Sequence, residues 1–176
     1  MNIHRLILAV VLLVSLTMNA CLQSNSKQPK SSPSSDPAFF VDMKGDTIWI
    51  IKKTDAQWKA ELSPDSYYVL REKGTERPTN KFGDVHESGV FVCKACNLPL
   101  FSSSTKFESG TGWPSFYQPI DKTHVLEISD GSAGMSRVEV VCHRCGGHLG
   151  HVFDDGPKPT GLRYCMNSVS LAFEEQ

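Results

Sequence analysis

Apolar and polar residues follow three patterns along this chain. Residues 6–14 form an unbroken apolar run directly after Arg5. Residues 22–37 lack any apolar periodicity, and from there to the C-terminus short apolar stretches alternate with turn residues. An apolar run of that length between a basic residue and small or polar residues is typical of a secretory signal peptide, and it is too short to span a bilayer comfortably. We therefore predict a signal peptide at residues 1–20 and a flexible tether behind it.

Cys21 lies where bacterial lipoprotein signals carry the cysteine that becomes lipidated. Ala20 fits that signal, whereas Met18 occupies a position where leucine is usual. An unmodified lone thiol would be unusual in an oxidising compartment. We predict export and a lipid anchor on Cys21, on the periplasmic side of a bacterial membrane, with plain signal cleavage as the alternative.

The pattern after the tether predicts a hairpin and two short helices. Apolar patches on either side of Lys44–Asp46 indicate a hairpin in the N-terminal segment, which together with the tether spans residues 21–53. Thr54 with Gln57 forms a capping-box pattern, which indicates a helix at about 55–62. Ser63 before a proline indicates a second helix start and Gly74 a stop, which gives a helix at about 64–73.

The remaining sequence predicts a mainly antiparallel β domain. Short apolar strands lead into Cys93 and Cys142, another is expected at 124–128, and glycines and prolines separate them. Near the C-terminus Val169, Leu171 and Phe173 alternate with small residues, which indicates a strand with those three side chains inward. The formal net charge is −1, so the chain has no basic surplus and we expect no nucleic-acid partner.

Four of the six cysteines form two C-x-x-C pairs, Cys93 with Cys96 and Cys142 with Cys145. Two such turns can bring four thiolates to one Zn²⁺ in a tetrahedron, which leaves no open position, so we predict a single structural zinc ion. The spacing between the pairs exceeds that of ordinary zinc ribbons, so the intervening strands must form a sheet that brings the pairs together. Two disulfides or a redox motif are the alternatives, although a disulfide within either short turn would be strained.

Cys165 precedes the C-terminal strand and is the candidate nucleophile. On an extended chain Arg163 and Asn167 share its face, and a nearby guanidinium favours the thiolate, the reactive form of cysteine. An inert buried thiol is the alternative, but polar groups seldom flank one. His148 and His151 are expected on a glycine-rich loop beside the second cysteine pair, where they are candidates for proton transfer.

Trp113 lies in a second glycine-rich segment, SGTGWPSF at residues 109–116. The residue fits equally well as the core tryptophan of an ordinary turn and as a surface aromatic that packs against a thioether or a methyl group.

Together these segments resemble the B-type methionine sulfoxide reductases, the methionine-R-sulfoxide reductase family. The match runs from Thr54 to the C-terminus through LREKGTERP, CKAC, KFESGTGWPSF, CHRCGGHLGHVFDDGP and RYCMNS. The resemblance implies a domain at 54–176 with two antiparallel sheets, short N-terminal helices and a four-cysteine zinc site. It also implies reduction of methionine-R-sulfoxide, free or in oxidised envelope proteins, because each sulfoxide epimer needs its own enzyme.

The resemblance also implies roles for individual residues. Cys165 is expected to attack the sulfoxide and to become a sulfenic acid. The other implied site residues are Arg163 beside the thiolate, His148, His151 and Asn167 on the polar side of the pocket, and Trp113 against the substrate methyl group.

Thr111 departs from the pattern of many family members, which carry a second, recycling cysteine at this position. With Cys21 assigned to the anchor and four cysteines to zinc, Cys165 has no partner for an internal disulfide. We therefore expect an external thiol, carried by a thioredoxin-like envelope protein, to reduce it. A zinc-ribbon-like binding module without catalysis is the alternative function, and the near-zero net charge and the histidine pair speak against it.

Overall fold

The computed structural model describes residues 38–83, 85 and 87–176. The predicted signal peptide, the lipidation site at Cys21 and the tether lie outside the described residues. Within the described ranges, no helix combines the length and the apolar character that crossing a membrane requires. Residues 38–53 belong to the same compact unit as the rest of the described chain.

Two short helices form where their capping residues predict them. Helix α1 spans Asp55–Glu61 behind the capping box of Thr54 and Gln57, and helix α2 spans Pro64–Glu72 behind the Ser63 cap. Each cap side chain accepts a bond from a backbone N–H that the helix itself leaves unpaired. At the end of α2 it is Lys73, with φ of 58°, and not Gly74, that takes the left-handed conformation.

Eleven strands are present in the described ranges, and every pairing among them is antiparallel. They are β1 (Phe39–Val41), β2 (Thr47–Trp49), β3 (Gly89–Cys93), β4 (Pro99–Ser102), β5 (Lys106–Phe107), β6 (Ser115–Phe116), β7 (Val125–Asp130), β8 (Arg137–Cys142), β9 (His148–Phe153), β10 (Arg163–Met166) and β11 (Leu171–Glu175). Strands β1 and β2 form the predicted hairpin. The others form a three-stranded sheet in the order β11-β3-β4 and a six-stranded sheet in the order β5-β6-β10-β9-β8-β7. The predicted mainly β fold with N-terminal helices is confirmed.

Aromatic rings join the two larger sheets. Phe91 and Phe101 of the three-stranded sheet both contact Phe116 of β6, with ring centroids 4.9 and 4.4 Å apart. All three side chains are fully buried. Burial of rings this large supplies much of the hydrophobic stabilisation between two sheets.

The N-terminal hairpin packs beside the second cysteine pair. The ring of Phe40 stacks on His143 with centroids 3.8 Å apart, and the Ile51 amide donates to the Arg144 carbonyl. The hairpin is therefore part of the folded domain.

The C-terminal strand starts later than the sequence pattern predicts. Ser168–Ser170 form a 3-10 turn, in which both serines are buried and Val169 is partly exposed. The predicted inward position of Val169 is wrong because the serine hydroxyls find partners inside the protein. The hydroxyl of Ser168 bonds to Glu76, and that of Ser170 bonds to the Asn167 carbonyl.

Candidate active site and metal centre

The two cysteine pairs form matching turns at the ends of strands from different sheets. Cys93 ends β3 of the three-stranded sheet, and Cys142 ends β8 of the six-stranded sheet. Each turn closes with a left-handed residue, Asn97 with φ of 59° and Gly146 with φ of 68°. The pairs therefore meet because the two sheets pack together, not because one intervening sheet joins them as expected.

The four sulfur atoms lie within 4.8 Å of one another. The Sγ atoms of Cys93 and Cys145 are 3.7 Å apart, and those of Cys96 and Cys142 are 3.5 Å apart. Sulfurs of a disulfide are about 2.05 Å apart, whereas sulfurs around one tetrahedral ion with bonds of about 2.3 Å are about 3.8 Å apart. The arrangement fits one four-coordinate metal ion better than two disulfides.

The protonation of this cluster also calls for a cation. Hydrogen bonds from the neighbouring thiols, chiefly that of Cys142, lower the pKa of Cys145. Hydrogen bonds with the neighbouring thiols, chiefly that of Cys142, and burial raise the pKa of Cys93 well above its ordinary value. All four buried thiols can become thiolates only when a metal ion offsets their mutual repulsion.

Cys165 lies in the middle of the six-stranded sheet, on β10. Its neighbours across the sheet are Ser115 on β6 and His151 on β9. The residue is only partly buried, so its thiol is held by a rigid element yet remains accessible. Thr111 Oγ1 lies 3.9 Å from the Cys165 sulfur. The position that departs from the family pattern is thus directly beside the candidate nucleophile.

A pocket of about 160 Å³ opens at Cys165. Of the predicted site residues, Cys165, His151, Asn167 and Trp113 line it, together with Thr75, Arg137, Gly150, Phe153 and Met166. Sites for drug-sized ligands and cofactors usually have about 300–1,000 Å³. This pocket therefore suits the end of a side chain, and Trp113 lines it as a partly exposed aromatic and not as a core residue.

His148 and His151 lie on strand β9, so the prediction of a loop is wrong. Glycine is needed at position 150 because a Cβ there would lie 2.1 Å from the Cys165 carbonyl oxygen. A bulge in the pairing with β8 leaves Leu149 without a partner and brings the two imidazole rings together, with centroids 5.4 Å apart. Gly150 thus allows close strand pairing, whereas the glycines of the segment had predicted a loop.

The two histidines sit at different depths. His151 lines the pocket and its Nε2 lies 2.8 Å from Asp130 Oδ2. His148 is buried behind it, with Nδ1 2.8 Å from Glu139 Oε1 and no hydrogen-bond partner at Nε2 among the residues that the structure describes. Burial lowers the pKa of His148, and the interaction with Glu139 opposes that shift only in part.

Arg163 and Asn167 are placed by contacts of their own. The Arg163 guanidinium forms a two-pronged ion pair with Asp155, at 2.8 and 2.7 Å. Asp155, and to a smaller extent Cys165, raise the pKa of Arg163. The side-chain amide of Asn167 donates from Nδ2 to the Leu149 carbonyl and accepts at Oδ1 from the backbone N–H of Glu76. Both polar atoms of the side chain are therefore bonded to backbone groups, and the residue also lines the pocket.

Glu76 is a site residue that the sequence analysis missed. Its carboxylate accepts from the Ser168 amide and hydroxyl and from the Val169 amide, and its carbonyl accepts from Trp113 Nε1. Glu76 thereby fastens the chain after α2 to the end of β10 and to the tryptophan. Glu76 lies in the LREKGTERP segment that carries part of the resemblance, but nothing in that segment indicates which strand it packs against.

Glu139 and Asp130 were missed as well. Glu139 on β8 bonds to His148, and Asp130 on β7 bonds to His151. Lys73 also forms an ion pair with Glu139. Burial would raise the pKa of Glu139, but the bonds from Lys73 and His148 outweigh it and lower the pKa. Such charged partners fix the orientation of each imidazole ring.

Comparison with known proteins adds a family and named relatives. The SelR domain model matches residues 62–175. A protein of Thiobacillus denitrificans named peptide methionine sulfoxide reductase MsrB is 61% identical over 122 residues, which are 69% of this chain and 92% of that protein. Proteins with the same name from Saccharophagus degradans and Methanosarcina mazei are 56% and 57% identical, over 72% of this chain and 96% and 91% of their own lengths.

Proposed function

The chain belongs to the SelR family of peptide methionine sulfoxide reductases, and on that premise we propose that Cys165 is the residue that reduces the sulfoxide. The family relationship makes the chain an oxidoreductase that acts on methionine sulfoxide. The observation that carries the proposal is the accessible Cys165 thiol at a small pocket that also holds a histidine and an aromatic ring.

The reaction transfers one oxygen atom from the substrate to Cys165. The thiolate attacks the sulfoxide sulfur while the oxygen receives a proton. The sulfoxide S–O bond then breaks as the hydroxyl passes to the Cys165 sulfur, so methionine leaves with its sulfur reduced by two electrons and Cys165 becomes a sulfenic acid. Arg163 lies two residues before Cys165 on β10, and the interaction with Cys165 is one of the causes that raise the pKa of Arg163, so the guanidinium keeps its positive charge beside the reacting thiol.

His151 is the proposed proton donor to the sulfoxide oxygen. Of the two histidines, it is the one that lines the pocket, and Asp130 holds its ring. His148, buried behind it, is a positioning residue that packs against the His151 ring. Geometry thus favours His151 where the sequence left both histidines open.

The lining of the pocket supports selectivity for the R epimer. Trp113 and Phe153 offer apolar rings, whereas His151 and Asn167 offer polar groups. A sulfoxide sulfur carries a methyl group and an oxygen in fixed chirality, so only one epimer can place the methyl on an aromatic ring and the oxygen toward the histidine. The resemblance to the R-specific family points to the R form.

Turnover of the two separated epimers with dithiothreitol tests this function. The wild-type chain should reduce methionine-R-sulfoxide and leave the S epimer unchanged. Cys165→Ser should lose the activity yet keep about one structural metal ion, since a four-thiolate site does not involve it. Reduction of the S epimer, or turnover by Cys165→Ser, would refute the assignment.

We also propose that the ion at the four cysteines is Zn²⁺ in a structural role. Four thiolates satisfy a tetrahedral zinc ion completely and leave no position for substrate. The ion would hold the two cysteine turns together and would take no part in the oxygen transfer.

Recycling of Cys165 requires a thiol from outside the chain. The residue beside its sulfur is Thr111, which cannot form a disulfide. We propose that a thioredoxin-like protein attacks the sulfenic acid, forms a mixed disulfide and releases water, after which its second thiol frees Cys165.

The proposed setting is the cell envelope. A signal peptide at 1–20, a lipid on Cys21 and a tether to about residue 37 would hold the domain at a membrane surface, where it repairs oxidised envelope proteins. Labelling with a palmitate analogue tests the anchor: the wild-type chain should take up the label and Cys21→Ser should not.

A further inference from the structure

A second group of metal-ligand side chains lies between the N-terminal hairpin and the rest of the folded domain. It consists of Asp42 in the β1–β2 turn, and of Asp121 and His124 around the 3-10 turn before β7. One ligand atom from each residue lies within 4.8 Å of the others. None of the three lines the Cys165 pocket, and Asp42 precedes the residues that match the SelR domain.

His124 points an unpartnered nitrogen into this group. Its side chain is 7% exposed, and its Nδ1 lies 2.7 Å from the Pro99 carbonyl oxygen, which can only accept a hydrogen bond. Nδ1 therefore carries a hydrogen, and in the neutral ring the free lone pair is on Nε2. Within the described part of the chain Nε2 has no hydrogen-bond partner, although burial of such an atom is costly without one.

The lone pair of Nε2 faces Asp42 Oδ2 at 3.6 Å. A direct N–H···O bond does not reach that far. Two ligand atoms on one tetrahedral zinc ion with bonds of 2.0–2.1 Å lie about 3.3 Å apart, which is close to this separation. A cation between Nε2 and Oδ2 can bond to both atoms at this separation, whereas a hydrogen on Nε2 would be too far from Oδ2 for a hydrogen bond.

The two carboxylates are already oriented by other groups. Asp42 Oδ1 accepts from the Lys44 and Asp46 amides at 2.9 and 2.8 Å, while Oδ2 faces the histidine. Asp121 accepts from Thr123 with one oxygen and from the Met43 amide with the other. Outer bonds of this kind, like the Nδ1 bond to Pro99, orient the ligands of metal sites.

We propose that Asp42, Asp121 and His124 bind a second divalent metal ion, Zn²⁺, which fastens the N-terminal hairpin to the rest of the domain. The imidazole argues against Ca²⁺ and Mg²⁺, which take oxygen ligands. Three protein ligands leave one position of a zinc tetrahedron for water. The site depends on a residue of the N-terminal segment, so it is a property of this chain's extension and not of the matched domain.

Metal content of the full chain tests the proposal. After loading with excess Zn²⁺ and gel filtration, the wild-type chain should hold about two zinc ions, one on the cysteines and one here. Asp42→Asn keeps the acceptor oxygen of the turn but removes the charge, and it should hold about one. Asp46→Asn changes an exposed carboxylate of the same turn and should keep both.

Two further readouts make the result decisive. Co²⁺ in place of Zn²⁺ shows which site is filled, because only thiolate ligands give intense sulfur-to-cobalt charge-transfer bands. Hydrogen exchange at Ile50, whose amide bonds to the Ala38 carbonyl, should slow on zinc addition in the wild type and not in Asp42→Asn. A wild-type chain that holds only the cysteine-bound ion, or an Asp42→Asn chain that keeps the second ion, would overturn the proposal. Neither count depends on reductase activity.

Discussion

At the scale of single residues, the proposed roles of His148 and His151 differ because the two side chains differ in burial and only His151 lines the pocket. His151 lines the pocket, whereas His148 is buried, bonded to Glu139 and packed edge-on against the His151 ring. An acid must lie within hydrogen-bond reach of the oxygen that it protonates. On this ground we assign proton donation to His151 and a positioning role to His148 as proposals.

Replacement of each histidine by glutamine should give unequal losses. His151→Gln should lower kcat by about 10²–10⁴-fold, because the group that protonates the sulfoxide is lost. His148→Gln should keep the wild-type shape of the pH–rate profile with a smaller loss of rate. Steady-state kinetics of both variants across pH measures this, and equal losses would show that the two rings act as one unit.

The burial of His148 should make stability sensitive to mild acid. Its pKa is lowered in the folded state, so below about pH 6.5 the unfolded chain binds a proton that the folded chain does not. The free energy of unfolding should then fall by up to about 1.4 kcal/mol per pH unit until the folded-state pKa is passed.

His148→Gln is the matched variant for this effect, since it cannot take up that proton. Urea unfolding at about pH 7.5 and about pH 5.5 should show a smaller loss for His148→Gln than for the wild type. An identical loss in both chains would assign the acid sensitivity to other groups.

At the scale of elements, the segment after α2 links the pocket to the C-terminal turn. Glu76 bonds to both Ser168 and Val169, and its carbonyl holds Trp113. Because these hydrogen bonds fix the segment after α2, it can hold the pocket residues as rigidly as a helix or strand would.

Glu76→Ala should weaken substrate binding and folding together. Loss of a charged acceptor leaves amides of the 168–170 turn unpaired, which should lower the free energy of unfolding by about 1–3 kcal/mol. KM should rise because Trp113 is less firmly held. Glu72→Ala, at an exposed position on α2, is the control and should change neither quantity. Unchanged KM in Glu76→Ala would remove the proposed link to Trp113.

The elements differ in how well the sequence predicted them. The caps of α1 and α2, the β1–β2 turn and the strands before Cys93 and Cys142 follow from local rules, and all were predicted. Strand β9 was not, because Gly150 serves the close approach to Cys165, a contact between residues distant in sequence. For the same reason, Glu76 and Glu139 could not be identified before the pairing of strands was known.

At the scale of the whole molecule, the four-cysteine site joins the two sheets. One pair of cysteines comes from the end of β3 and the other from the end of β8. Structural zinc sites contribute about 10–16 kcal/mol of apparent binding free energy, which matches or exceeds the total stability of about 5–15 kcal/mol of ordinary domains. The fold should therefore depend on the ion.

Metal removal should unfold the domain and not merely inactivate it. Cys142→Ser, or a strong chelator at neutral pH, should abolish the cysteine-bound ion and the native circular dichroism together. Cys165→Ser should keep both, since Cys165 lies outside the cluster. A folded, active Cys142→Ser chain without this ion would contradict the structural role.

The most direct test of the account is a single turnover without reductant. The full chain carrying Cys21→Ser, so that residue 21 cannot act as a resolving thiol, is mixed with an equimolar amount of methionine-R-sulfoxide and examined by intact mass and by a sulfenic-acid trap. We predict that methionine forms, that the chain gains one oxygen atom trapped on Cys165, and that the cysteine-bound metal stays in place. A disulfide between Cys165 and a metal-binding cysteine with release of the ion, or no oxygen on Cys165, would contradict it.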